Sequence, residues 1–186
     1  MDRRSNNIAI FQDSMDLIKA NQKLQQAVQF SIQNQKLYVP SQAITLPEPG
    51  KSPCKTIVSS KRSFEAASAY AKAGKQACVL NFASATNPGG GVTRGSTAQE
   101  ECLCRCSTLY PCLNTETMWH QFYQPHRKVG NPLYNDDLLY TPEVVVFKTD
   151  TSAPERMEEK DWYQVDIITC AAPNLRKKPS NAMNPS

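Results

Sequence analysis

Two adjacent carboxylates close to a run of glycines are the residues of this sequence whose types and spacing could do chemistry. The glycines are Gly89, Gly90 and Gly91, and after seven more residues Gln99, Glu100 and Glu101 follow. Consecutive glycines let backbone N–H groups converge on an anion and let a ligand approach closely. Such a turn suits a phosphate or a diphosphate, which two carboxylates would repel. We therefore expect the carboxylates to contact a neutral part of the same ligand, such as a sugar.

A strand and a helix are predicted to hold this turn. The apolar run at 78–82 is short enough to be a buried strand, and a segment of helical character opens at Gln99. A helix that begins beside the glycines adds free N–H groups and the positive end of its dipole. Both favour an anion at this place.

Strands that alternate with helices predict an α/β fold, a mixed sheet with flanking helices and an N-terminal helical extension. Ser63 is expected to cap one helix. Thr97 and Glu100 have the spacing of a capping box for another, and Ser96 with Gln99 offers a second register. Loops are expected at 40–53 and after residue 175. Helices are predicted over most of 1–38 and over 64–73, 97–112 and 117–128, and strands at 55–59, 78–82, 143–147 and 163–170.

Composition places the chain among ordinary globular proteins. It has 186 residues, 40% hydrophobic and 20% charged, with a net charge of +4. That charge allows an anionic ligand but does not indicate DNA or RNA. No run approaches the roughly 18 apolar residues of a membrane span, and the N-terminus lacks the apolar core of a signal peptide. An odd number of cysteines, seven, predicts free thiols and a cytoplasmic location.

The segment 79–113 resembles the signature of the bacterial-type poly(ADP-ribose) glycohydrolases, a branch of the macrodomain fold. That family is marked by GGG, six to eight residues, and then QEE, which this chain has at 89–91 and 99–101. The flanking VLNFASATNPGGG and the AAPNLR at 171–176 are also similar to that family. The resemblance is weaker in the N-terminal helices.

The resemblance implies hydrolysis of the ribose–ribose O-glycosidic bond in poly(ADP-ribose), with no metal and no cofactor. It assigns Glu101 as the general acid and base, and Glu100 as the residue that holds the ribose hydroxyls. It also implies ADP-ribose or its polymer on modified proteins as the partner, and we expect a monomer. The implied ligand-binding residues are Asn87 near the distal ribose, the diphosphate-lining glycines Gly89, Gly90 and Gly91, and Gln99 of the QEE motif.

Plainer interpretations stand beside these. Glu100 and Glu101 could be the acidic first turn of an exposed helix, and the glycines a flexible loop. A helix places Cys102 and Cys106 on one face and Cys104 on another, which favours buried apolar thiols over a metal site. His120 and His126 are expected at the surface or in hydrogen bonds, and the basic residues 176–178 in a solvated tail.

One departure from the family concerns a second glycine-rich loop, which its members carry beyond the AAPNLR element. No glycine follows Gly130 in this sequence. We therefore expect either a fragment of a longer protein or a reduced natural variant. The expected organisation is a helical extension at 1–50 and a glycohydrolase domain at 51–186, C-terminally truncated. The alternative function is an ADP-ribose-binding module without turnover.

Overall fold

A four-stranded mixed sheet forms the centre of the chain in the computed structural model, which describes residues 2–42, 45, 48, 50 and 53–174. The strands lie in the order β1-β3-β4-β2; β2 runs parallel to β4, and the other two pairings are antiparallel. This confirms the predicted α/β class. The strands are β1 (Lys36–Tyr38), β2 (Cys78–Phe82), β3 (Leu138–Val146) and β4 (Tyr163–Cys170).

Helices account for most of the remaining regular structure. A π-helical turn at Trp119–Tyr123 joins the sixth helix to the seventh, and 3₁₀ turns lie at Val92–Arg94 and Glu159–Asp161. The helices are α1 (Arg3–Ala20), α2 (Gln22–Asn34), α3 (Ser63–Lys72), α4 (Gln99–Cys106), α5 (Leu109–Leu113), α6 (Glu116–Met118) and α7 (Gln124–Val129). No helix of the described residues is long and apolar enough to cross a membrane.

The N-terminal helices pack on the rest of the chain. Phe11 of α1 belongs to the main core, together with Leu103 of α4 and Ile167 of β4. Leu24 of α2 lies in a second cluster with Phe147. The division into an extension at 1–50 and a domain at 51–186 stays a prediction, but α1 contributes side chains to the same core as the sheet.

The two faces of β2 differ in burial. Val79 and Asn81 are buried, whereas Leu80 and Phe82 on the other face are 47% and 62% exposed. The buried face lies towards α3 and α4, which pack on this strand. The carboxyl end of β2 lies beside the start of α4, where the Phe82 N–H donates to Gln99.

Two predicted elements were wrong. The segment 55–59 forms no strand: it is exposed throughout, and Val58 has 92% of its surface in solvent, so its apolar residues find no partner strand. The helix predicted over 97–112 breaks at Ser107, which is extended (φ −148°) and forms a β-bridge with Val146. Tertiary pairing overrides helix propensity at that residue.

The helix caps also differ from the predictions. Ala98 precedes α4 and makes no side-chain cap, so neither proposed capping box forms. Ser63 is the first residue of α3, not its cap; the preceding Arg62 takes that position, and its N–H donates to Glu65.

The bounds of some helices and strands differ from the predicted ones. Strand 143–147 begins earlier, at Leu138, and ends at Val146, and its pairing with β4 shifts register between Thr141 and Val144. Residues 36–38, expected in a helix, form β1. The predicted helices at 64–73 and 117–128 and the strands at 78–82 and 163–170 are confirmed within one or two residues. The basic residues 176–178 and the end of AAPNLR lie outside the described residues.

Candidate active site

Glu100 and Glu101 are buried, which excludes the interpretation of an exposed acidic turn. They lie in the first turn of α4 and are 3% and 6% exposed. Neighbouring helical residues point about 100° apart, yet both carboxylates reach towards Gly90. A Cβ built on Gly90 would lie 2.6 Å from Oε1 of Glu101 and 3.0 Å from Oε2 of Glu100. The two carboxyl groups therefore flank the centre of the glycine turn.

Glu101 is held by one oxygen and leaves the other unpaired. Its Oε1 accepts a 2.8 Å hydrogen bond from the N–H of Gly91. Its Oε2 is buried and has no hydrogen-bond partner among the described residues. A buried carboxylate oxygen without a partner is costly and calls for an explanation, of which a catalytic role is one. The contact of this atom with a ligand stays a prediction.

Glu100 is held more completely. The N–H of Ser84 donates to its Oε2 at 2.8 Å, and Nδ2 of Asn81 lies 3.5 Å from its Oε1. Burial raises the pKa of the Glu100 carboxyl from its ordinary value of 4.5 to about 8; the Ser84 hydrogen bond opposes this, and the Glu101 charge adds to it. Burial therefore favours the neutral form of the Glu100 carboxyl.

The glycines make room for the glutamates and for their neighbours. Gly89 and Gly90 have φ of +64° and +58°, a conformation that L side chains rarely adopt. A Cβ on Gly89 would lie 2.8 Å from Cδ2 of Tyr110, and one on Gly91 would overlap the Ser96 hydroxyl. From the sequence we explained these glycines by the close approach of a ligand. The packing of the site requires glycine at these positions even without a ligand.

All three glycine N–H groups are used inside the protein, and that of Gly89 donates to the Glu100 carboxyl. The Gly90 N–H donates to the Asn87 carbonyl at 3.0 Å, and the Gly91 N–H donates to Glu101. The anion-binding role of Gly89, Gly90 and Gly91 stays a prediction. A diphosphate here would meet a turn whose shape the glutamates help to fix.

Asn87 lies in the same turn, and an arginine holds its side chain. Arg127 of α7 donates to its Oδ1 and, through Nε, to the Thr86 carbonyl at 2.6 Å. The Asn87 Nδ2 donates to the Thr86 hydroxyl at 3.1 Å. The structure thus brings Asn87, the glycines and both glutamates into one site.

Gln99 uses its amide on the sheet. Its Oε1 accepts from the N–H of Phe82 at 2.9 Å, and its Nε2 donates to the Leu80 carbonyl at 2.7 Å. The side chain thereby pairs with the backbone of β2 as a neighbouring strand would, and ties the start of α4 to the strand. The ligand-binding role predicted for Gln99 stays a prediction.

Sequence reasoning missed three residues of this site. Asn81 and Ser84 hold Glu100, and Arg127 holds Asn87. Asn81 could have been found, because it is a polar residue within an otherwise apolar strand. Nothing in the sequence spacing marks Arg127, which lies 40 residues from Asn87.

The cysteines and histidines take the plainer roles predicted for them. Cys104 and Cys106 are buried, Cys102 is half-buried, and all seven cysteines are free thiols. His126 is buried and contacts the Phe122 carbonyl and Asn135, whereas His120 is exposed. Among the described residues no group of three or more His, Cys, Asp or Glu side chains could hold a metal ion.

Comparisons with known proteins agree with this geometry. Residues 8–149 match the family model described as microbial-type PARG, catalytic domain. The structure is similar to the crystal structure of poly(ADP-ribose) glycohydrolase (PARG) from Thermomonospora curvata, with a TM-score of 0.77 and 30% identity over 94% of this chain and 69% of that one. A comparison with curated protein sequences gave no match.

A second solved structure contains a ligand. PARG from Deinococcus radiodurans in complex with ADP-ribose is 32% identical, has a TM-score of 0.65, and is covered over 58% of its length by 79% of this chain. These likenesses confirm the macrodomain-like fold. With most of its length matched by the family model and its fold shared with solved members, the chain belongs to the microbial-type poly(ADP-ribose) glycohydrolases, a family of glycosidases.

Proposed function

We propose that this chain hydrolyses the ribose–ribose O-glycosidic bond of poly(ADP-ribose) and releases ADP-ribose. Membership of the glycohydrolase family supports the reaction class. The observation that carries the assignment of residues is the buried, unpaired Oε2 of Glu101 beside the glycine turn. A leaving ribose oxygen placed there would supply the hydrogen-bond partner that this atom lacks.

The burial of the glutamate pair bears on this reaction. Cleavage of a glycosidic bond needs a proton on the leaving oxygen and passes through an oxocarbenium-like state. Burial raises the pKa of the Glu100 carboxyl to about 8 and so favours its neutral form. A neutral Glu100 carboxyl repels a diphosphate less than a charged one.

The steps follow from these groups. Glu101, as the general acid, donates a proton to the leaving ribose oxygen, and the C–O bond breaks to give the oxocarbenium-like sugar. The Glu101 carboxylate then takes a proton from the water that attacks the sugar carbon. Glu100, still held by Ser84, positions the ribose hydroxyls. The water supplies the new C–O bond, and its proton restores the acid.

The same proposal extends to ligand and location. The diphosphate lies against Gly89, Gly90 and Gly91, and Asn87 contacts the distal ribose. The natural ligand is ADP-ribose or its polymer on modified proteins, and the chain acts as a monomer. The free thiols support a reducing compartment, the cytoplasm.

The test is release of ADP-ribose from poly(ADP-ribose) by wild type, Glu101→Gln and Glu116→Gln. Glu116, also in the first turn of a helix, has a side chain that is 91% exposed and serves as the matched control. We expect Glu101→Gln to lose about 10²-fold or more in turnover, the scale of acid–base catalysis, and to keep its ADP-ribose affinity within a few-fold. Substantial turnover by Glu101→Gln would remove Glu101 from the mechanism. Binding without hydrolysis by wild type would instead identify a binding module.

A further inference from the structure

Arg127 makes a planar, two-point contact with the turn that precedes the glycines. Its Nε donates to the Thr86 carbonyl at 2.6 Å, and its Nη2 donates to Oδ1 of Asn87. Arginine carries donors only, so the Asn87 atom that faces it must be the amide oxygen. The opposite end of the amide, Nδ2, donates to the Thr86 hydroxyl. The Asn87 side chain is therefore fixed in one orientation.

Arg127 is itself held by an aromatic ring. Its guanidinium carbon lies 4.7 Å from the centre of the Trp119 ring, and Nε1 of Trp119 donates to Asn114 at 2.8 Å. A guanidinium stacked on an aromatic face loses little freedom when it binds a second partner.

The π-helical turn brings these two side chains together. Trp119 and Arg127 are eight residues apart, whereas two α-helical turns take about 7.2 residues. The extra residue of the turn at Trp119–Tyr123 brings two turns to about eight residues. Arg127 therefore lies nearly in line with Trp119, whereas in an uninterrupted α-helix the two residues would point about 80° apart. Such turns occur often at functional sites.

We propose that Arg127 is a positioning residue for the reaction, acting through Asn87. This inference rests on the proposed function. With Oδ1 occupied by Arg127, the amide N–H that does not face Thr86 is the donor offered to a ribose hydroxyl of the substrate. Loss of the contact lets the amide rotate, so that an acceptor faces the ligand in part of the molecules.

A different role for Arg127 would be simple attraction of a polyanion. Lysine at position 127 could still attract a polyanion, but it could not position Asn87. Arg127→Lys keeps the positive charge but loses the planar pair of donors. Lys128, the exposed neighbour on the same helix, offers the matched control, because Lys128→Gln removes a charge and leaves the contact intact.

The experiment is a double-mutant cycle with Arg127→Lys and Asn87→Ala, measured as kcat/KM on poly(ADP-ribose) and as ADP-ribose affinity. We expect Arg127→Lys to lower kcat/KM by about 10-fold, the scale of a charged hydrogen bond. In the Asn87→Ala background, Arg127→Lys should lower kcat/KM by less than about 2-fold, because the side chain that Arg127 positions is absent. Lys128→Gln should have little effect in either background.

Two outcomes overturn the proposal. Either Arg127→Lys lowers kcat/KM equally with and without the Asn87 side chain, or it does not lower kcat/KM at all. A variant that only unfolds is recognised by its melting temperature. If wild type binds but does not hydrolyse, the proposed function fails while the affinity cycle still decides the role of Arg127. If the wild type neither binds nor hydrolyses, NMR of the ligand-free protein tests the role of Arg127. The signals of the Asn87 side-chain amide must then shift in Arg127→Lys and stay in place in Lys128→Gln.

Discussion

Replacing Gly90 by alanine tests whether the glutamates and the glycine turn form one packed unit. Gly90 has φ of +58°, and an added Cβ would lie 2.6 Å from Oε1 of Glu101. Ordinary van der Waals contact begins near 3.4 Å, so that oxygen must move by about 0.8 Å. A movement of this size takes the bond from the Gly91 N–H, now 2.8 Å, beyond the usual limit of about 3.2 Å.

The expected cost has two parts. A left-handed conformation costs an L residue about 1–2 kcal/mol. A lost hydrogen bond to a charged group costs about 1.5–3 kcal/mol. Gly90→Ala should therefore lower the free energy of unfolding by about 2.5–5 kcal/mol. Gly74→Ala is the matched control: Gly74 has φ of +70° with nothing within 4 Å of the added Cβ, so we expect only the first part.

Urea denaturation by linear extrapolation measures both variants, and calorimetry gives their affinity for ADP-ribose. We expect Gly90→Ala to be clearly less stable than Gly74→Ala and to lose ligand affinity and turnover, while Gly74→Ala keeps both. Equal stability of the two variants, with wild-type affinity in Gly90→Ala, would refute the packing of the glutamates against Gly90.

Three further outcomes are expected. Glu100→Gln should gain stability relative to wild type as pH rises from about 4.5 to about 8, because the folded state holds the Glu100 proton above the pH at which the unfolded chain releases it; urea unfolding at several pH values measures this. Gly95→Ala should destabilise more than Gly74→Ala and lower ADP-ribose affinity, because its Cβ would overlap the Arg4 carbonyl; melting curves and calorimetry check it. A thiol reagent should label the exposed cysteines in the native protein and the buried ones only after unfolding, as peptide mass spectrometry can show; the exposed ones are Cys54 and Cys78, and the buried ones are Cys104, Cys106 and Cys112.

The parts of the fold that depend on local pattern were predictable. Strands 78–82 and 163–170 are short apolar runs between turn residues, and the structure confirms both. Segment 55–59 has a similar pattern but no partner strand, and whether a partner exists is not a local property. Ser107 leaves the helix because of Val146, a residue that lies far along the chain.

The candidate site also has features that could be predicted from the sequence and features that could not. The spacing of the glycines and glutamates predicted which residues meet, and the structure places them together. The raised pKa of Glu100 could not be predicted, because it depends on how deeply the carboxyl is buried and on the Ser84 N–H. The contact of Arg127 with Asn87 could not be predicted either, because it joins residues 40 apart and depends on how α7 packs on the glycine turn.

The docking of α1 beside the site has a consequence for the order of folding. Arg4, Asn7 and Ser14 bond to the carbonyls of Arg94, Gly95 and Arg105, across sequence separations of 90, 88 and 91 residues. Contacts of such range form slowly, because a long loop must close before they stabilise anything. During synthesis α1 leaves the ribosome long before the residues it will hold, and a helix in a protein takes most of its stability from packing rather than from its own propensity. The glycine turn and its glutamates therefore reach their final geometry late, because the contacts with α1 form only after the middle of the chain has been made.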